Sequence, residues 1–230
     1  MKNRKEMNYY TYELDMVFLN VLSLVIFLIV AAIVYFIGGF ATYLYSDHMG
    51  LLIIYMILWL MLHELLHGIG FSLFKEVNKK NITFGMALEK GVFYCMCKQK
   101  ISKKVILTSL LFPFTIIGII TLILGMIIHS YYLVWLSVLN IAGAVGDLVM
   151  TYYFLKVPDD IYYLDLDDPT SFTVLSDEDL SCIRVRGVKL KESGIYDKNK
   201  MIPKDKRKIV VSFASYIILG IMILLSIFII

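Results

Sequence analysis

Residues 51–74 read LLIIYMILWLMLHELLHGIGFSLF. The stretch is apolar from Leu51 to Leu62 without a break, then carries His63, Glu64 and His67 in an otherwise apolar context. At 1.5 Å per residue, about 20 such residues cross ~30 Å of hydrocarbon. Lipid leaves every backbone N–H and C=O to be satisfied within the structure, so spanning segments are helices or closed barrels. A continuous Leu/Ile run lacking period-two alternation selects a helix. Four further runs have the same character, at 16–41, 105–128, 131–155 and 209–230. The first is too long for the ~7–15-residue core of a signal peptide and lacks a convincing small-residue cleavage site. The 230-residue composition agrees: 59% hydrophobic, 18% charged, mean hydropathy +0.76. Soluble domains run nearer 45–50% and about 25%. These values exclude a cytosolic globular enzyme, a secreted disulfide scaffold and a disordered chain. A net charge of +3 is too small to argue for a nucleic-acid partner. The expectation is a mainly α, polytopic membrane helix bundle of five transmembrane helices.

Lysine and arginine set its orientation. Lys2, Arg4 and Lys5 precede the first run, eight lysines from Lys75 to Lys104 fill the connection after the second, and Lys204, Lys206, Arg207 and Lys208 precede the fifth. The connections near Ser46–Met49 and His129–Ser130 carry none. All basic segments share one side if the N-terminus is cytosolic and the C-terminus extracytosolic. Within the cytosolic part, the β-prone runs Asn81–Leu88 and Val92–Cys97 flank Glu89-Lys90-Gly91 and read as a small β-hairpin over 81–97. The division is then a core over 1–156, a cytosolic segment over 157–206 and a C-terminal transmembrane helix over 207–230. In the cytosolic segment, Ser171–Leu175 and Cys182–Leu190 have the look of short strands. Cys95, Cys97 and Cys182 fall in cytosolic segments, where disulfides do not persist, and Cys95-Met96-Cys97 reads as small apolar strand residues rather than a metal pair.

The chemistry-bearing residues lie inside the apolar runs. His63-Glu64-Leu65-Leu66-His67 is an H-E-x-x-H motif. On a helix its histidines stack one turn apart and can both offer nitrogen to one Zn²⁺, while Glu64, from the adjoining side, reaches the attacking water rather than the metal. A catalytic zinc wants a third ligand and an open position. Asp147, in Asn140-Ile141-Ala142-Gly143-Ala144-Val145-Gly146-Asp147, is the charge inside the fourth run. Counting from the outer ends of the two runs puts His63 and His67 roughly 20 and 26 Å deep and Asp147 about 24 Å deep. Ionisable groups near mid-helix cost roughly 2.5–3.5 kcal/mol each on insertion scales, and a divalent cation would offset several at once. Asn140, two turns before Asp147, can hydrogen-bond a substrate or act as helix–helix glue. Gly143, Ala144 and Gly146 offer a small-residue surface for close packing, and Pro113 predicts a kink in the third run.

These residues resemble those of the bacterial zincin-peptidase family, membrane-embedded relatives of the site-2 proteases. The resemblance runs from about Leu51 to Leu175 and rests on H-E-L-L-H-G at 63–68, F-G at 84–85, F-Y-C-M-C-K at 93–98, P-F at 113–114 and N-I-A-G-A-V-G-D at 140–147. It implies a zinc metallopeptidase in which His63, His67 and Asp147 bind Zn²⁺ and Glu64 is the general base. Asn140 and Gly85 are then candidate substrate contacts, and the 81–97 hairpin could present substrate by strand addition. Unlike site-2 proteases, which have an Asp-Gly pair on the third-ligand helix, this chain follows Asp147 with Leu148. The expected partner is a membrane protein or peptide cleaved near the cytosolic leaflet. Two other readings stand beside this one: a non-catalytic membrane interaction protein with a structural zinc site, and a metal transporter.

Overall fold

The computed structural model describes residues 7–38, 49–87, 92–166, 168–198, 201 and 210–212. In chain order these form β1 (Asn8–Leu14), α1 (Met16–Gly38), α2 (Met49–Ser72), a 3₁₀ turn (Lys79–Asn81), β2 (Ile82–Ala87), β3 (Val92–Cys97) and β4 (Ile101–Ser102). There follow α3 (Lys103–Pro113), a π-helical stretch (Phe114–Ile120), α4 (Thr121–Ile127), α5 (Tyr131–Gly143) and α6 (Val145–Lys156). The remaining strands are β5 (Tyr162–Leu164), β6 (Ser171–Ser176), β7 (Val188–Ile195) and β8 (Val210–Ser212).

The architecture corrects the expectation of five transmembrane helices with a small hairpin. Among the described residues, two helical stretches are long and apolar enough to cross a membrane: Met16–Ile37, and Lys103–Ile127, which joins α3, the π stretch and α4. A third span exists if α5 and α6, bent by 46° at Ala144, are counted as one. The fifth run does not begin as a helix: Val210–Ser212 form β8, and residues 213–230 lie outside the described residues. The segments before α1, between α2 and α3 and after α6 build sheet instead. One antiparallel sheet has five strands in the order β4-β5-β6-β1-β7, and the other three in the order β3-β2-β8.

The expected pairing of 82–87 with 92–97 is present, Phe84 facing Cys95 and Gly85 facing Tyr94, with its link at 88–91 outside the described residues. β8 adds to the far side of β2, Phe84 opposite Val211, which makes a sheet of what the sequence suggested as an isolated hairpin. β1 is the larger departure. Its tyrosine-rich NYYTYEL lies inside the five-stranded sheet, Tyr12 opposite Phe172 on one side and Leu190 on the other.

An aromatic cluster fastens that sheet to the end of α6. Tyr12 and Tyr153 rings lie 4.7 Å apart, Tyr153 and Phe172 5.3 Å, and Phe154 and Tyr163 5.9 Å, all buried. Burial of such rings stabilises on the order of 1.5–3 kcal/mol each. The Lys103 ammonium closes the joint at the start of α3, donating to the Val157 carbonyl and the Asp159 carboxylate, both at 2.7 Å. Between α2 and α3, a Cβ on Gly70 would meet the Ser109 Cα at 2.8 Å, so the backbones touch there because Gly70 has no side chain.

Candidate metal centre

Two helices bring three donors to one point. α2 carries His63 and His67 on one face, as the four-residue spacing requires. Asp147 comes from α6, and its placement follows from the break at Ala144, whose φ −75° and ψ 8° interrupt the run between α5 and α6. The break creates a new helix N-terminus with Asp147 in its first turn. The partial positive charge at such a terminus favours a carboxylate.

His63 Nε2 lies 3.1 Å from His67 Nε2 and 3.1 Å from Asp147 Oδ2, and His67 Nε2 lies 3.5 Å from the same oxygen. Four donors arranged tetrahedrally at the ~2.0–2.1 Å typical of zinc–nitrogen and zinc–oxygen bonds would sit about 3.3–3.4 Å apart. The three separations bracket that value. Both imidazoles are buried.

The hydrogen bonds behind the histidines fix which nitrogen is free. His67 Nδ1 is 2.9 Å from the Ser109 carbonyl, which can only accept, so Nδ1 carries the proton and Nε2 a lone pair. The same deduction for His63 runs through Asn140. The amide Nδ2 faces the Pro113 carbonyl at 3.4 Å, again an acceptor, which turns Oδ1 toward His63 Nδ1 at 2.8 Å. His63 therefore donates from Nδ1 and presents a lone pair at Nε2. Two lone pairs and a carboxylate oxygen thus converge, all acceptors. One proton would satisfy a single contact, whereas a cation satisfies three. The residues fit Zn²⁺ by distance and by donor chemistry, and His63, His67 and Asp147 form a group that could hold a metal ion.

A cavity of about 390 Å³ opens on the group. Glu64, half-buried, lines it beside the histidines. β3 forms another wall through Phe93, Tyr94, Cys95 and Met96, and it is an edge strand among the described residues, paired with β2 alone. Gly143 and Gly146 also line the cavity, and a Cβ on either would meet nothing within 4 Å. The small residues of the 140–147 stretch thus open space at the donors; they do not press against α2.

Asn140 stands behind His63, in contact with its distal nitrogen, and does not line the cavity. Gly85 lies in the central strand of its sheet, between Tyr94 and Val210, away from the cavity. Two lining residues went unread in the sequence. Asp165, buried, accepts from the Cys97 backbone N–H at 3.0 Å and from the Tyr163 hydroxyl at 2.5 Å. Burial first, then the Asp165 carboxylate, pushes the Tyr163 phenol well above its ordinary value and the Cys97 thiol up to about 12. The signal for Asp165 was the alternation of Tyr163, Leu164 and Asp165, hidden within an acidic run.

Residues 56–162 match the family model described as "Putative zincin peptidase". The matched stretch includes His63, Glu64, His67, β2 and β3, the Pro113 helix and Asp147, the part of the chain that assembles the donors. No curated protein and no solved structure matches the chain.

Proposed function

We propose that this protein is a membrane-embedded zinc metallopeptidase that hydrolyses a peptide bond of a membrane protein or membrane-associated peptide near the cytosolic leaflet, with its N-terminus cytosolic. The observation that carries the reading is the meeting of two imidazole lone pairs and one carboxylate at zinc-ligand separations, beside a glutamate on an open cavity. Structural zinc sites are closed by four protein ligands, whereas hydrolytic ones keep a position open; three donors facing a 390 Å³ space suit the second kind.

His63, His67 and Asp147 would hold the ion, their orientation set from behind by Asn140 and Ser109. Zn²⁺ when bound supplies Lewis acidity, lowering the pKa of a water toward ~7 and polarising a carbonyl. Glu64 takes a proton from the attacking water at its carboxylate and delivers it to the nitrogen of the leaving amine. The β3 edge offers backbone groups on the cavity side, where an extended peptide can pair and be held in register. Glu64 and the β3 edge line the same cavity, so the base and the strand that would align the substrate face one space.

Elemental analysis of the detergent-purified chain tests the metal. We expect about one zinc per chain in wild type and in Glu64→Gln, and loss of zinc in His67→Ala and Asp147→Asn. With casein as a generic substrate, Glu64→Gln should retain zinc while losing turnover. Zinc retained by Asp147→Asn would remove the third ligand, and equal cleavage by Glu64→Gln would remove the general base.

A further inference from the structure

A second concavity lies between α1 and α6, on the opposite side of Val145 from the metal cavity. Its volume is about 260 Å³, and Val145 is the one residue lining both. Phe18, Leu22 and Ile26 form the α1 wall, spaced four residues apart on one helix face, and Leu148, Val149 and Tyr152 form the α6 wall. From Phe18 to Ile26 is eight residues, about 12 Å of helix axis. The groove is apolar along this length and ends at its mouth on Arg186.

That end is built. Arg186 and Gly187 form the tip of a turn closed by the Val185–Val188 bridge. Gly187 has φ +88°, and a Cβ there would strike the Phe18 ring at 2.6 Å, so the turn sits directly on α1. The Arg186 guanidinium lies 5.1 Å from the centre of the same ring. Lys156, at the end of α6, lies 4.6 Å over the Tyr152 ring and reaches the Arg184 carbonyl at 3.5 Å. Arg184, Arg186 and Lys156 are all exposed. Among the described residues neither arginine is in an ion pair, and the nearby Asp15 is engaged by Lys189 at 2.7 Å. An apolar groove long enough for part of an acyl chain thus terminates in uncompensated positive charge, on the side where, in the topology proposed above, basic residues and an anionic leaflet coincide.

We infer that this groove seats one anionic glycerophospholipid, its acyl chain between α1 and α6 and its phosphate at Arg186, with Arg184 and Lys156 adding to the field. A neutral lipid would fill the apolar length equally well and leave the charge unanswered. The inference rests on α1 and the bent α5–α6 pair crossing the bilayer, as in the reading above, and does not depend on the metal centre.

The test uses the full chain reconstituted in nanodiscs of phosphatidylcholine with a minor share of phosphatidylglycerol, followed by native mass spectrometry of the lipids it keeps on release. Wild type should retain one phosphatidylglycerol in preference to phosphatidylcholine. Arg186→Gln should reduce that preference about fivefold, and Arg184→Gln with it by more, since a basic group beside an anionic surface is worth about that factor. Leu148→Trp, which fills the groove and leaves the charges in place, should lose the retained lipid altogether. Retention of the two lipids in their disc ratio by wild type, or a preference unchanged in Arg186→Gln, would overturn the proposal. A chain that enters no bilayer would overturn the membrane reading itself, and with it this site.

Discussion

Replacing Asn140 by alanine leaves all three donors in place and removes only what stands behind one of them. The 2.8 Å bond from His63 Nδ1–H to the amide oxygen is lost, and a buried N–H is left without an acceptor. An orphaned buried donor costs about 1–3 kcal/mol. The ring can escape that cost by moving its proton to Nε2 or by rotating, and either change removes the lone pair that faces the other two donors. Holding the ring in the binding form then draws on the affinity for the ion, so the penalty passes to metal binding. Partners behind a ligating histidine are typically worth 10–100-fold in metal affinity, or about 1.4–2.7 kcal/mol, inside the range set by the orphaned N–H. Asn140→Asp keeps an acceptor and should stay within a few-fold of wild type. The assay is competition for zinc against a chelator of known affinity, on detergent-solubilised protein. A dissociation constant within twofold of wild type for Asn140→Ala, alongside loss of zinc in Asp147→Asn, would refute the orienting role and return Asn140 to a purely packing account.

Other consequences can be measured separately. Gly70→Ala places a Cβ against the Ser109 backbone, so α3 must retreat; we expect a loss of about 1–3 kcal/mol in thermal unfolding, and weaker zinc retention because the Ser109 carbonyl moves with it. Gly143→Ala meets open space and should leave stability unchanged or raise it by about 0.4–1 kcal/mol, whereas Gly143→Phe should abolish peptidase activity by filling the cavity while zinc stays bound. The raised pKa of Cys97 leaves it a protonated thiol at pH 8, and the thiolate is the reactive form. Mass-spectrometric mapping of maleimide labelling at that pH should find Cys182 modified and Cys97 untouched in the folded protein.

The donors were readable from the sequence because each depends on local arithmetic. Helical spacing fixes how His63 and His67 relate, and a lone acidic residue in an apolar run marks Asp147 by its cost. The sheets were not readable, because strand pairing is a property of distant segments. Residues 8–14 have β-prone tyrosines, yet nothing nearby pairs with them; their partners begin at Ser171 and Val188. Hydropathy misled in the middle of the fourth run and at the start of the fifth for related reasons. It averages across Gly143 and Gly146 and so misses the break at Ala144, and it counts Val210 and Val211 as membrane residues when β-branched residues are equally at home in a strand. Asn140 was found for its position with two roles left open, and its bonds to His63 and Pro113 are of the helix-joining kind; a sequence cannot say whether an amide faces the cavity or the back of a ligand.

The place of β1 in its sheet bears on how the protein is made. Asn8 pairs with Ser176, a separation of 168 residues, so the strand has neither neighbour until the six helices α1 to α6 have been synthesised. At ~5–20 residues per second, that is a delay of roughly ten to thirty seconds, during which a tyrosine-rich strand has two unpaired edges. β6 and β7 then close on it from both sides, and the aromatic joint with α6 forms in the same event. The sheet therefore acts as a late clasp: the helix bearing Asp147 is secured only after the polypeptide beyond it has emerged, and a chain interrupted before β6 would have its ligands but lack the Phe172 side of the aromatic joint.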